Sequence, residues 1–443
     1  MYYLAPSNNL AEEHSPASLS SSPRQIVMIW LAGTVLLSPV KILSLPFNLE
    51  LVDFWILAVL PMVWVLFMLR RQTIISWSYT FAMLLILVGS FASTLSAPNS
   101  ARSFVVISKE IYLFVWFVTL AALFSRLHPD DLRRIMIVWS AAVILHGLLI
   151  LAQLLSPSIW RMTSGLVGKP SAFTHFRPSG LFMSQDAGDA NKAALFQLLG
   201  FVPLLLARPP RYIATILAIV LFASMLATGS MGTTIGFAAG LFTLIVAIVV
   251  LGKYAALLQK HFVQLFIILP FLAGVFAFAL FQNKDYQHHF ESILVGRSER
   301  SSEGRFGLWL RGRDVFLEHS GFFWGVGPGN FRDVDGNDKQ LHNDLIAFVV
   351  ERGVPTALTL VLFGAIAFRR AVYLLQMHGK YPDRVRLRVV VFPATMAAVL
   401  AASLTHQVFH TRELWLVLAL QEAMIFRAKS EKGATKRLSF ESP

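Results

Sequence analysis

Residues Ile135–Leu155 read IMIVWSAAVILHGLLILAQLL, a run that is apolar on every helical face. It has about the 20 residues that a helix needs to cross the hydrocarbon core of a bilayer. Comparable runs recur along the chain, whereas barrel strands would alternate apolar and polar residues over about 10 positions. We therefore predict an all-α membrane fold of about 12 transmembrane helices. The other predicted spans are Ile26–Val40, Leu51–Leu69, Ile75–Leu95, Phe104–Phe124, Ala193–Ala207, Ile213–Ala227, Gly232–Leu251, Phe262–Phe281, Pro355–Phe368, Val389–Val408 and Leu414–Phe426.

The composition agrees with this fold class. Of 443 residues, 56% are hydrophobic and 14% are charged, and the mean hydropathy is +0.62. The net charge of +13 is concentrated in connections between spans, so it does not indicate nucleic-acid binding. The chain has no cysteine, which excludes disulfides and thiolate chemistry.

Lys and Arg residues cluster in alternate connections, which predicts that both termini are cytoplasmic. We divide the chain into a disordered cytoplasmic tail (1–24), transmembrane helices 1 to 9 (25–281), a long periplasmic loop with helices (282–341), transmembrane helices 10 to 12 (342–427) and a basic cytoplasmic tail (428–443). Long polar insertions in membrane bundles are usually functional, so the periplasmic loop is the first place to look for a site.

Within this loop we predict a helix from about Glu303 to Glu318, capped by Ser301 or Ser302. Its apolar stripe comprises Phe306, Trp309, Gly312 and Phe316. Arg311 has Asp314 three residues on, which favours a structural ion pair, although Arg311 also stays a candidate for substrate binding.

Arg305 has no carboxylate three or four residues away, so it is the better candidate to meet an external anion. A guanidinium is always charged and can bind phosphate oxygens in a bidentate manner. The alternative is a solvated arginine in the headgroup layer.

His342 precedes a short helix that Asn343 or Asp344 can cap and that Gly353 and Pro355 end. A histidine at this mouth can act as a general base, although most interface histidines are structural.

In the first outer loop, Arg177 precedes a turn that Pro178 and Gly180 fix. Arg177 is either a functional cation or an anchor at the membrane interface. His406 and His410 share the spacing of a zinc protease, but Gln407 stands where the general-base glutamate should be, which argues against that chemistry.

These segments together resemble the O-antigen ligase and O-antigen polymerase superfamily. The resemblance rests on Glu303-Gly-Arg-Phe-Gly-Leu-Trp309, Phe316–Ser320, Gly325-Val-Gly-Pro-Gly-Asn-Phe331, His342-Asn343, Glu351-Arg-Gly353, and Arg177–Gly180 ahead of Asn191. The segments that carry the resemblance cover roughly a third of the chain. The motifs identify the superfamily but separate its members poorly.

The resemblance implies a membrane glycosyltransferase of the inner membrane. Such an enzyme transfers a glycan from an undecaprenyl pyrophosphate carrier to an acceptor hydroxyl at the periplasmic face, without a nucleotide sugar, cofactor or metal. The acceptor is lipid A core for a ligase of lipopolysaccharide biosynthesis, or a growing glycan for a surface or exopolysaccharide polymerase.

The resemblance carries functional roles over to Arg305 and His342 as catalytic residues. It carries Arg177 over more weakly, as a substrate-binding residue, and we add Arg311, Asn343 and Glu351 as substrate-binding candidates. One position departs from the family: where many relatives have Ser-Arg-Gly, this chain has Met231 between Ser230 and Gly232.

Two alternatives stay open. Protein glycosylation is one, although no large soluble domain is available to hold a folded acceptor. A transporter or flippase is the other, since such proteins carry internal charges, and Lys109, Glu110 and Glu422 lie within predicted spans.

Overall fold

The fold is that of a computed structural model, which describes residues 21–40, 51–68, 76–156, 158–159, 179–181, 190–250, 306–319, 322–336, 340–377 and 389–441. All regular structure in these residues is helical. The helices are α1 (Ser21–Leu37), α2 (Leu51–Met68), α3 (Trp77–Thr94), α4 (Ser100–Arg126), α5 (Pro129–Leu155), α6 (Ala190–Leu199), α7 (Phe201–Ala207), α8 (Arg211–Ala227), α9 (Met231–Val250), α10 (306–319), α11 (Phe331–Asp335), α12 (Asp344–Arg352), α13 (Val354–Met377), α14 (Val391–Ser403) and α15 (Arg412–Glu441).

The described helices make this chain a multi-pass membrane protein. Five segments in the described ranges are long and apolar enough to cross a bilayer: Trp77–Thr94, Ser100–Arg126, Pro129–Leu155, Ala190–Ala207 and Val354–Met377. Four shorter apolar helices accompany them, at Arg24–Leu37, Tyr212–Ala227, Met231–Ala247 and Val391–Ser403. The predicted span Phe262–Phe281 lies outside the described residues, so the predicted count of about 12 stays a prediction.

The centre of the bundle is an aromatic cluster between α4, α13 and α15. The Trp415 ring is 5.9 Å from that of Phe117 and 5.5 Å from that of Phe363, and Phe409 packs 5.4 Å from Trp415. Trp415 and Phe117 are fully buried. Such edge-on and tilted contacts are the arrangements that aromatic quadrupoles favour.

Small residues bring α9 and α14 together. A Cβ at Gly236 would lie 2.5 Å from the carbonyl oxygen of Ala398, and one at Gly240 would lie 2.8 Å from that of Ala394. Packing through small residues is typical of helix pairs in membranes, where close backbone approach supplies van der Waals contact.

The connections gather at two opposite ends of the bundle. At one, here called the basic end, Arg24 binds Asp131, Arg133 donates to the carbonyl of Ala207 and Arg427 donates to that of Ser125. At the other, here called the motif end, the α3–α4 connection bonds to the segment 325–330, and the segment 341–344 bonds to the connection 404–411. Helix α4, with 27 residues, runs between them over about 40 Å.

Exposed aromatic residues mark both ends. Trp77 is 76% exposed where α3 begins, and Phe322, Phe323 and Trp324 are each more than half exposed beside the motif end. Aromatic side chains prefer the two interfaces of a bilayer. Arg133 and Arg427, which the charge pattern assigns to the cytoplasmic side, both lie at the basic end.

Candidate functional site

The glycine-rich segment Gly325–Asn330 is held against the end of α12. The N–H of Val326 donates to the carbonyl of Val350 at 3.0 Å, and the N–H of Gly327 donates to that of Glu351 at 2.9 Å. A Cβ at Gly325 would lie 2.0 Å from the carbonyl carbon of Glu351. Glycine is therefore required at position 325 by close backbone approach.

The same segment is fixed from its other side by the α3–α4 connection. Asn330 accepts from the N–H of Asn99 at 2.9 Å and donates to the Ser103 hydroxyl at 2.8 Å. Ser96 donates to the carbonyl of Gly325 at 2.9 Å. Three parts of the chain that lie far apart in sequence thus form one rigid layer at the motif end.

Asn343 is the cap of α12, which resolves the alternative between Asn343 and Asp344. Its Oδ1 accepts from the N–H of Ile346 at 2.9 Å, and its Nδ2 donates to the carbonyl of Leu404 at 2.6 Å. Both ends of the amide are therefore used within the protein. Asn343 positions the neighbouring His342, whose side chain is exposed.

Asp344 fastens the connection that follows α14. Its Oδ2 accepts from the N–H groups of Val408 and Phe409, at 2.7 and 3.1 Å. Burial raises the pKa of Asp344 to about 7, and the two N–H donors only partly offset that effect.

Glu351 joins α12 to the glycine-rich segment through its carboxylate. Its Oε2 accepts from the N–H of Gly329 at 2.9 Å. Burial raises the pKa of Glu351, while this donor lowers it. The predicted end of α12 is correct, since Gly353 has φ +82° and α13 starts one residue later with Pro355 in its first turn.

One prediction for the loop helix is wrong, and a second is confirmed only in part. Within the described part of the loop, Arg311 pairs with the carboxylate of Asp335, at 3.6 Å, whereas Asp314 binds Arg313. The buried face of α10 carries Leu308, Gly312 and Val315, while Phe306 is 59% exposed. Gly312 and Phe316 of the predicted stripe pack against the cluster that contains Leu341 and Val350, so the helix lies on the protein.

Arg305 and Arg177 lie outside the described residues, as do the predicted caps Ser301 and Ser302. The turn that follows Arg177 is described in part. Gly180 has φ +61°, and the N–H groups of Ser179 and Gly180 donate to Oε1 of Gln153 at 3.1 and 2.9 Å. The turn predicted around Gly180 is therefore confirmed, and it packs on α5.

Ser230 and Gly232 also reach the motif end. The Ser230 hydroxyl is 2.9 Å from Nε2 of His406, and a Cβ at Gly232 would lie 2.6 Å from that nitrogen. Met231, between them, is 56% exposed. The position at which many relatives have arginine thus faces outward in this chain.

His406 and His410 do not form a metal-binding pair on one helix face. Helix α14 ends at Ser403, five residues earlier than the predicted span, and both histidines follow in turns. His406 contacts Ser230, whereas Nε2 of His410 is 2.7 Å from Oε1 of Glu110. The turn geometry therefore separates two side chains that a continuous helix would align.

Sequence reasoning missed a buried cluster in which Glu110 binds both His410 and Arg352. Glu110 was noticed as an internal charge, and its partners lie more than 240 residues away. Only the Glu-Arg-Gly motif at 351–353 pointed to Arg352, and it gave no role to that residue. Glu422, the other noticed carboxylate, pairs with Arg370.

Comparison with known proteins gives one family match. Residues 216–361 match the Wzy_C family, described as O-antigen ligase. This range includes the Ser230–Gly232 segment, the glycine-rich segment, the loop helix and α12. A search of curated proteins finds no match.

Proposed function

We propose that this chain, which belongs to the O-antigen ligase and polymerase superfamily through residues 216–361, transfers a glycan from an undecaprenyl pyrophosphate carrier to an acceptor hydroxyl at the periplasmic face. The observation that carries the proposal is the meeting of the family's segments at one end of the bundle. Gly325–Asn330 and Glu351-Arg-Gly353 are hydrogen-bonded to each other there, and Leu341, which precedes His342-Asn343, shares a buried apolar cluster with Val326.

The chemistry requires cations beside the departing diphosphate. Breaking the bond between the anomeric carbon and the diphosphate develops negative charge on the leaving oxygens. Arginines preorganised in a partly dehydrated site stabilise that charge, each by about 3 kcal/mol if they resemble one oxyanion donor. Arg305 and Arg177 are the proposed cations, while Arg311 is partly neutralised by Asp335.

The acceptor hydroxyl must lose its proton as it attacks. A positioned base contributes roughly a hundredfold or more in rate. His342, which is exposed at the N-terminus of α12, is the candidate for this base that the sequence offers. Asn343 caps the helix that follows His342, and Glu351 holds the glycine-rich segment against the other end of the same helix.

Transport is the second candidate function, because the described helices contain buried ionic groups. Asp53 binds Arg412 and Glu422 binds Arg370. Charges inside a membrane often mark a substrate path. Both of these charge pairs join two helices, however, and a pair of that kind can also serve only to stabilise the fold.

The test uses purified protein with carrier-linked glycan and a chelator, in two mixtures. One contains lipid A core and the other contains no second acceptor, and products are separated on a gel. A shift of lipid A indicates a ligase, and a ladder without lipid A indicates a polymerase. If neither mixture gives a covalent product, the proposed glycosyl transfer is wrong and transport is favoured.

A further inference from the structure

His410 belongs to a buried cluster of three residues from three elements. Its Nε2 is 2.7 Å from Oε1 of Glu110 in α4, and Arg352 at the end of α12 donates to the same oxygen. The side chains of Glu110 and Arg352 are 0% and 1% exposed, whereas that of His410 is 20% exposed. Of these three side chains, that of His410 is therefore the one with accessible surface.

Arg352 fixes the charge of the cluster. Its guanidinium also donates to the Ser90 hydroxyl at 3.0 Å and stacks 3.9 Å from the centre of the Phe348 ring. Arginine stays charged in proteins, so its contact with Glu110 is an ion pair with a carboxylate.

This charge determines the tautomer of His410. An ionised carboxylate can only accept hydrogen bonds, so Nε2 of His410 must be the donor. The lone pair of the neutral ring then lies on Nδ1. Among the described residues, no side chain or backbone group donates to that nitrogen.

Arg352 already neutralises the negative charge of Glu110, so His410 does not need to carry a positive charge for this purpose. The charged groups that act on His410 are Glu110, Lys109 and Arg352. Burial lowers the pKa of His410, although Glu110 raises it, so the imidazole is neutral near pH 7. A neutral ring held by a carboxylate and partly open to solvent has the arrangement of an oriented general base.

The connection that carries His410 is fastened to the segment that carries His342. Asn343 donates to the carbonyl of Leu404, and Gln407 donates to that of Leu341 at 2.9 Å. Both histidines therefore lie at the motif end.

We propose that His410, oriented by Glu110 and Arg352, is the general base that takes the proton of the acceptor hydroxyl. The proposal rests on the proposed glycosyl transfer, moves the role of general base from His342 to His410, and assigns His342 to contact with the departing diphosphate. The hydroxyl oxygen forms the new bond to the anomeric carbon while its proton moves to Nδ1 of His410. The bond from that carbon to the diphosphate breaks, its electron pair leaves with the diphosphate, and the imidazolium later returns the proton to water.

The experiment compares wild type with His410→Gln and His410→Ala in the purified assay. Glutamine can still donate to Glu110 but cannot accept the proton. We expect His410→Gln to lose at least about a hundredfold in kcat, with little change in KM for the carrier-linked glycan. The pH–rate profile of His410→Gln should lack the acidic limb that wild type shows. Added imidazole should partly restore the activity of His410→Ala.

His128→Gln is the matched control, since this exposed histidine lies at the basic end, and it should keep wild-type activity. Melting curves check that the variants fold, and if His410→Gln does not fold, imidazole rescue of His410→Ala decides. The proposal is overturned if His410→Gln stays within about threefold of wild type, or if the loss comes without rescue and with an unchanged pH profile. If wild type itself forms no product with either acceptor, the proposed function has failed rather than this assignment alone.

Discussion

The backbone N–H of Gly329 donates a 2.9 Å hydrogen bond to Oε2 of Glu351. This bond joins the glycine-rich segment to α12 across 22 residues of sequence. Beside it, Gly327 and Val326 donate to carbonyls of α12, so the two segments form one unit. The side chain of Glu351 therefore has an architectural role in the site for which it was first considered as a substrate contact.

Gly325→Ala should disrupt this unit. The new Cβ would lie 2.0 Å from the carbonyl carbon of Glu351 and 2.1 Å from the nitrogen of Arg352, and neither backbone can move freely. We expect a destabilisation of at least about 2 kcal/mol, measured by thermal melting in detergent, together with loss of product. Gly307→Ala is the control, because its Cβ would have no neighbour within 4 Å, and it should be neutral or slightly stabilising. Equal melting temperatures for the two variants would contradict the packing described.

The Glu110–Arg352 pair should show strong coupling. Removing one partner, as in Glu110→Gln or Arg352→Met, leaves a buried group uncompensated and should cost about 3 to 5 kcal/mol. The double variant removes both charges and should lose much less than the sum of the single losses. A double-mutant cycle on melting temperatures measures this, and additive losses would show that the two side chains do not interact.

Asp344 should make stability depend on pH. Its folded pKa of about 7 exceeds the unfolded value of about 3.9, so the folded state binds the proton more tightly. The contribution of Asp344 to stability is then largest at low pH, falls as the pH rises between about 4 and 7, and is constant above that range. Asp344→Asn should flatten this part of a melting-temperature profile while keeping an acceptor for Val408 and Phe409. A mutant profile with the same slope as wild type would refute the assignment.

The absence of cysteine from the sequence permits a direct test of orientation. Single cysteines replace His319 at the motif end and His128 at the basic end, whose side chains are 53% and 57% exposed. In intact spheroplasts, a membrane-impermeant maleimide should label His319→Cys and should label His128→Cys only after the membrane is opened. The reverse pattern would place the proposed site in the cytoplasm.

Local sequence patterns predicted the local structure well. The turn at Gly180, the cap at Asn343 and the break at Gly353 follow from backbone preferences of single residues, and all three are present. Apolar runs likewise predicted helices, since burial in lipid requires every backbone group to bond within its own segment.

Pairings between distant residues could not be predicted in this way. Glu110 could pair with any arginine brought near it, and only the packing of α4 against α12 selects Arg352. Arg311 shows the same limit, because helical spacing favours Asp314 whereas the fold brings Asp335 closer. The base candidate His410 was first considered with His406 because they share a spacing, and the end of α14 at Ser403 separates them.

The most direct test of the account is product formation by His342→Gln in the purified assay, beside wild type and His128→Gln. The account predicts that wild type and His128→Gln join carrier-linked glycan to an acceptor. His342→Gln should fold normally and lose at least about a hundredfold in rate, because its contact with the departing diphosphate is altered. Wild-type rates for His342→Gln would contradict a reaction centred on the motif end.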